Sequence, residues 1–156
     1  AAGRAGRGVK PGEVVIQTYQ PEHYAIVHAA RQDYRSFYEE EILYREMMQY
    51  PPVYHMFAVL AASRDEAGAG ALADRLAGAA DAFAKENQKK PGTIRIIGPA
   101  PAWIGKVNDI YRSVFYIKCK DYEVLIRIKD CLERYLKENP LREETVQFDF
   151  DPLNQL

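Results

Sequence analysis

The chain has 156 residues, with 21 Lys and Arg, 22 Asp and Glu and a formal net charge of −1. A chain of this length buries roughly 70% of its unfolded surface without a disulfide or a metal, so it fits one domain or one domain with an attached segment. The charge balance excludes a globally basic nucleic-acid binder and leaves only a local basic face open.

In chain order, residues 1–12 carry Arg4, Arg7 and Lys10 with no acid. The opening stretch Ala1-Ala2-Gly3-Arg4-Ala5-Gly6-Arg7-Gly8 is glycine-rich and lacks an initiator Met, and it reads as a cut through a larger protein. Glu13–Tyr19 is a short β-branched run after Lys10-Pro11-Gly12, which predicts a strand. Its Val14, Val15 and Ile16 need cover, from another copy of the chain or by folding back. Pro21 then opens a helical stretch, with Glu22 in its first turn. Tyr34, Phe37, Tyr38, Ile42 and Met48 recur at helical spacing, with Glu39-Glu40-Glu41 on the other face and a bend expected near Gln32-Asp33. Tyr50-Pro51-Pro52 ends this region.

From His55 to Ala62 the chain is an apolar strand. Ser63-Arg64-Asp65-Glu66 has the form of a capping box and starts a helix that runs to about Gln88, with Leu72, Leu76 and Phe83 on its inner face. Pro91-Gly92 turns the chain into a strand at 93–97. A proline-rich link, 98–102, leads to the segment Trp103–Tyr111. A third strand covers Arg112–Cys119, with Ser113, Phe115, Ile117 and Cys119 on one side. A second helix spans about Tyr122–Glu138, with Leu125, Ile128 and Leu132 in its apolar stripe, and Asn139-Pro140 stops it. Thr145–Phe150 alternates as a last strand. The order is β-α-β-β-α-β, the ferredoxin-like α+β arrangement, with both helices expected on one face of an antiparallel sheet.

Cys119 and Cys131 fit neither a C-x-x-C pattern nor a paired-histidine motif, so no metal site and no disulfide framework is expected, and free thiols point to a reducing cytoplasm. No apolar run approaches a membrane span and the N-terminus has no signal-peptide core. His23, His28 and His55 have no ligand spacing, and Glu39–Glu41 reads as a solvated face. No catalytic residue is expected. The chemistry concentrates in the basic block, where Lys89, Lys90, Arg95, Lys106, Arg112, Lys118 and Lys120 face Asp109 alone over residues 89–120. Lys106, Tyr111, Arg112, Lys118 and Trp103 combine cations for phosphates with rings for unstacked bases, and Lys89, Lys90 and Lys120 add charge. The plain alternative is a solvated loop with Trp103 packed on the core.

Gly3-Arg4-Ala5-Gly6-Arg7-Gly8 resembles the end of superfamily-2 helicase motif VI, Q-x-x-G-R-x-G-R. Lys10-Pro11-Gly12-Glu13-Val14-Val15-Ile16-Gln17-Thr18-Tyr19-Gln20-Pro21-Glu22-His23, the block from Asp33-Tyr34 to Tyr50-Pro51-Pro52, and Gly98-Pro99-Ala100-Pro101 with Lys106 and Tyr111-Arg112 resemble the C-terminal region of the bacterial primosomal replication-restart helicases, the PriA family. The resemblance implies three parts: a helicase lobe 2 remnant at 1–20, a helical connector at 21–53, and a domain at 54–156 with a fold like ribosomal protein S10. It further implies a parent that uses ATP with Mg to restart stalled forks, with Arg4 and Arg7 at its nucleotide site and a structural zinc elsewhere. The chain itself is then a non-catalytic module that binds branched or single-stranded DNA weakly through phosphates. Its protein partners are single-strand-binding protein, other primosome proteins and the rest of the helicase. The competing reading is a pure protein-docking domain, and a small enzyme stands behind both. The sequence departs from the family's basic-aromatic run at Asn108-Asp109-Ile110 and Ser113.

Overall fold

The computed structural model describes residues 14–87 and 92–153. The chain divides into two compact units, Ala1–Tyr44 and Arg45–Leu156. The expectations for Arg4, Arg7, Lys89 and Lys90 lie outside the described residues.

In the first unit, the described part of the expected strand at 13–19 forms no strand. No described segment offers it a ladder partner, and Val14, Val15 and Ile16 stay exposed. Pro21 does not open the helix either. It sits in a turn, and α1 (Tyr24–Arg31) starts after His23, whose ring accepts the Ala25 N–H. The bend expected near Gln32-Asp33 is present. Gln32 takes the left-handed conformation, φ 55°, and closes α1, and the Asp33 carboxylate accepts from Ser36 N at 3.0 Å to start α2 (Tyr34–Met47). That backbone hydrogen bond, with the Ser36 hydroxyl behind it, holds the Asp33 pKa below its ordinary value. The acidic run on α2 is less solvated than its composition indicates. Glu40 meets the His28 ring at 2.9 Å and Glu41 accepts from the Tyr24 hydroxyl, so two of the three carboxylates clip α1 to α2. Glu39 pairs along its own helix, with Arg35.

The second unit is the ferredoxin-like domain. Its elements are β1 (His55–Ser63), α3 (Glu66–Asn87), β2 (Ile94–Val107), β3 (Ile110–Cys119), α4 (Tyr122–Glu138) and β4 (Thr145–Phe150). The four strands are antiparallel in the order β2-β3-β1-β4, which puts the apolar run of β1 in the interior of the sheet. Alternation along the pleat sends Phe57, Val59 and Ala61 of β1 and Phe115, Ile117 and Cys119 of β3 to one face. There they join Leu72, Ala73, Leu76 and Ala80 of α3 and Leu125, Ile128 and Leu132 of α4 in one core. Both helices therefore cover the same face. Phe83, Phe148 and Phe150 pack at the margin of this core and are only partly buried. A smaller cluster of Leu60, Val114 and Ala102, with Tyr116 beside it, occupies the opposite face.

The start of α3 differs from the sequence expectation. Asp65, not Ser63, is the cap: its carboxylate accepts from Gly68 N at 2.8 Å, while Ser63 Oγ accepts from Asp65 N at 3.2 Å. A carboxylate outcompetes a hydroxyl for the positive end of the helix. Asp65→Ala is expected to cost about 1 kcal/mol of stability, whereas Glu66→Gln leaves stability within about 0.5 kcal/mol. Paired urea midpoints read both, and equal losses would return the cap to the Ser63–Glu66 pair.

β2 runs well beyond the expected 93–97 strand. The proline-rich link is part of it, interrupted by register shifts between Ile97 and Ala100 and between Pro101 and Lys106. Proline is tolerated because β2 is an edge strand, where an absent N–H breaks no ladder on the outer side. Gly98 sits at the first shift with φ +99°, and a Cβ there would lie 3.1 Å from Val114 O. Asn108 and Asp109, at φ 49° and 61°, form the two-residue turn into β3. Positive φ at both positions matches the right-handed twist of a hairpin, and Asn and Asp tolerate it best after glycine. Of the positions where the sequence breaks its basic-aromatic pattern, Asn108 and Asp109 are thus the hairpin turn, while Ile110 and Ser113 belong to β3.

Candidate nucleic-acid interface

The basic block separates into two groups that do different things. The first is at the turn end of the β2–β3 hairpin. Lys106 pairs with Tyr111 across the ladder. Its ammonium lies 3.0 Å from the Asp109 carboxylate and 4.8 Å from the Tyr111 ring centroid. The hydrogen bond to Asp109, with Tyr111 adding to it, raises the Lys106 pKa above its ordinary value, so the charge is firmly held at neutral pH. Arg112 is half-buried and makes no ion pair with any described residue. Ser113 donates to Ala100 O at 3.2 Å and ties the two strands together.

Between this hairpin and the first turns of α3 lies an open cavity of about 510 Å³, lined among others by Lys106, Arg112 and Ser113 on one side and Glu66 and Asp74 on the other. The two walls carry opposite charge. A phosphate is attracted to the hairpin wall and repelled by the helix wall, so an anionic chain is steered along the hairpin. Trp103 does not pack on the core. It is 80% exposed, with Ile104 beside it at 56%.

The second group points elsewhere. Lys118 was expected to bind phosphate, but it is only 7% exposed. Its ammonium sits 3.8 Å from the Tyr50 ring centroid and 3.4 Å from Met48 O, and burial, with Arg95 nearby, lowers its pKa. The face of the ring and the carbonyl oxygen occupy the approach a phosphate would need. Lys120 is held at 2.7 Å by Glu46 and stands 5.1 Å from the Tyr54 ring centroid. The Glu46 hydrogen bond raises its pKa. Arg95 reaches Gln49 at 3.4 Å. These three cations fasten the stretch 46–54 to the sheet. The tyrosine-rich stretch reads in the sequence as packing that fastens the connector to the sheet domain, and Tyr50 and Tyr54 do this; the sequence did not show that their partners are Lys118 and Lys120, which its charge pattern assigned to phosphate.

At the far end of the sheet, Asp151 closes β4 onto β1. Its carboxylate accepts from Met56 N at 2.7 Å and meets the His55 ring at 3.0 Å. His55 thus has a structural partner. Among the described residues, no group of three or more His, Cys, Asp or Glu stands close enough to hold a metal, and no helix is long and apolar enough to cross a membrane.

The fold and this surface define the class: a ferredoxin-like α+β domain presenting a basic, aromatic hairpin beside a mixed-charge cleft. Residues 46–153 match the family described as the primosomal protein N C-terminal domain. The chain is 34% identical over 152 residues to replication restart protein PriA of Bacillus subtilis, a match that covers 97% of this chain and 18% of that protein. It is 33% identical to the Synechocystis protein of the same name, over 98% of this chain and 17% of that protein. A shorter match to the Chlamydia pneumoniae protein reaches 53% over 51 residues, 33% of this chain and 7% of that one. The chain therefore belongs to the primosomal protein N C-terminal domain family. It corresponds to the C-terminal part of the PriA replication restart proteins and spans less than a fifth of the length of the Bacillus and Synechocystis relatives.

Proposed function

We propose that the domain is a non-catalytic DNA-binding and protein-docking module of a cytoplasmic, ATP-driven helicase that restarts stalled replication forks. ATP with Mg and a structural zinc belong to the rest of that protein, with Arg4 and Arg7 at its nucleotide site. The DNA is branched or single-stranded and is held weakly through its phosphates. Single-strand-binding protein, other primosome proteins and the helicase core are the protein partners. The observation that carries this reading is the hairpin end, where Lys106 and Arg112, the latter in no ion pair with a described residue, stand on the basic wall of an open cleft. Lys106, Tyr111 and Arg112 form the contact proper, Lys89 and Lys90 supply background charge, and Lys118 and the Glu46-paired Lys120 are assigned to the fold instead.

The test is binding of a labelled fork substrate to the chain, followed by anisotropy between about 50 and 200 mM salt, because phosphate contacts release counterions and steepen the salt dependence. Lys106→Glu with Arg112→Glu is expected to weaken binding to all base sequences alike and to reduce the salt slope by roughly two, one per lost contact. An unchanged slope in that double variant would remove DNA from this site and leave the pure protein-docking reading.

A further inference from the structure

Trp103 is the chain's single tryptophan, and the fold displays it instead of burying it. Ala102, immediately before it, is 5% exposed and packs with Leu60 and Val114 on the sheet. Lys106, three residues after it, is locked into the ladder opposite Tyr111. The four residues 102–105 lie inside the register shift between Pro101 and Lys106, so the strand bulges there between two fixed points. A bulge re-aims side chains, and this one turns the largest apolar side chain in the protein outward. Leaving an indole in water forgoes a large burial gain, which singles this position out among the exposed residues.

The charge around it defines what it meets. At the turn end of the hairpin the described chain holds Lys106 and Arg112 against Asp109, and the carboxylates of Glu66 and Asp74 lie across the cleft on α3. A partner must bring negative charge to the hairpin wall and a flat apolar surface to the indole. An unpaired nucleic-acid strand has both in alternation. A duplex has the charge, but its base faces are hidden in its own stack.

We propose that Trp103 stacks on an unpaired base and makes this interface selective for single-stranded over duplex DNA. The inference rests on the DNA-binding reading of the Lys106–Arg112 hairpin and adds to it a residue and a preference. Lys106 and Arg112 hold phosphates of either form, and the indole adds its contact only to the form whose bases are free.

The experiment uses the whole chain, with a labelled oligothymidylate and a duplex of the same length as probes. Two signals are followed together: anisotropy of the labelled DNA and emission of the single tryptophan. With oligothymidylate, the emission is expected to quench and to saturate along the same curve as the anisotropy. Trp103→Ala is expected to weaken oligothymidylate binding about fivefold or more and to leave duplex binding within about twofold, whereas Trp103→Phe keeps most of the preference. Circular dichroism of each variant confirms the fold, which an exposed side chain should not disturb. Emission that stays constant while oligothymidylate demonstrably binds would overturn the inference and leave the DNA-binding reading intact, making the indole a protein contact. So would equal losses for both probes in Trp103→Ala. Binding of neither probe by the parent chain would overturn both.

Discussion

Phe57→Ala is expected to lower folding stability by about 3–5 kcal/mol, a large share of the roughly 5–15 kcal/mol that holds a domain of this size together. Phe57 lies fully buried in the central strand. It pairs with Phe150 across the ladder, their ring centroids 4.6 Å apart, and its ring is 5.5 Å from that of Phe148. Removing it opens a cavity between an edge strand and the two helices, where the backbone ladder on both sides prevents collapse. Urea unfolding followed by far-ultraviolet circular dichroism should show a much lower midpoint with an unchanged slope. Phe150→Ala, at the margin of the same cluster, should cost clearly less. Equal midpoints for Phe57→Ala and the parent would mean that β1 is not the centre of the core.

Lys118→Glu is expected to be the other severe variant, at about 3 kcal/mol or more, while Lys118→Met is expected to be neutral or mildly stabilising. The same surroundings produce both results. The face of the Tyr50 ring and the Met48 carbonyl oxygen present negative charge to the ammonium, and no carboxylate of a described residue completes the site. A carboxylate placed there is buried against two repelling groups. A thioether of similar length fills the space and avoids desolvating a charge. The lowered Lys118 pKa adds a sign that can be checked. Between its folded value and its ordinary 10.5, the unfolded chain holds a proton that the folded chain has released. Stability contributed through Lys118 therefore rises with pH across that window, and Lys118→Met abolishes the rise. Thermal unfolding of the three proteins from neutral pH to about pH 10 reads this. A parent and a Lys118→Met variant with parallel pH profiles would show that Lys118 is solvated after all. Because Lys118 is assigned to the fold, Lys118→Met should also bind DNA as the parent does.

The parts of the fold that were legible in the sequence are those whose pattern is local. The stripe of Leu125, Ile128 and Leu132 on α4, the alternation of Val146, Phe148 and Phe150 on β4 and the apolar run of β1 each indicate their element and inner face without further information. The length of β2 was hidden because Pro99 and Pro101 read as breaks, and only the position of β2 at the edge of the sheet, a tertiary fact, makes them compatible with a strand. Asn108-Asp109 between Val107 and Ile110 carried a hairpin signal that charge bookkeeping obscured. The candidate site was half legible. Charge and aromatic content led to Lys106, Tyr111 and Arg112, which the fold brings to one hairpin end. The same reasoning applied to Lys118 failed because composition cannot say which face of β3 the preceding chain covers. Nor could it decide whether Trp103 is inside or outside, since that depends on a bulge two residues past a proline.

The fastening of residues 46–54 across the sheet bears on how the protein is dissected by truncation. Met48 and Tyr50 cover Lys118, Glu46 pairs with the exposed Lys120 and Gln49 meets the exposed Arg95, and every one of those four lies before the first strand. A fragment trimmed to begin at residue 54 keeps all six ferredoxin-like elements and passes as a minimal domain, yet it uncovers Lys118 and takes away the partners of Lys120 and Arg95 at once. Such a fragment presents an ammonium that the longer chain buries and two cations released from their partners, and it is expected to retain nucleic acid there for reasons foreign to the longer chain. Deletion mapping from this end is thus prone to a gain of affinity that mimics the exposure of a true binding surface. Cutting at Arg45, where the compact unit begins, keeps the shield in place.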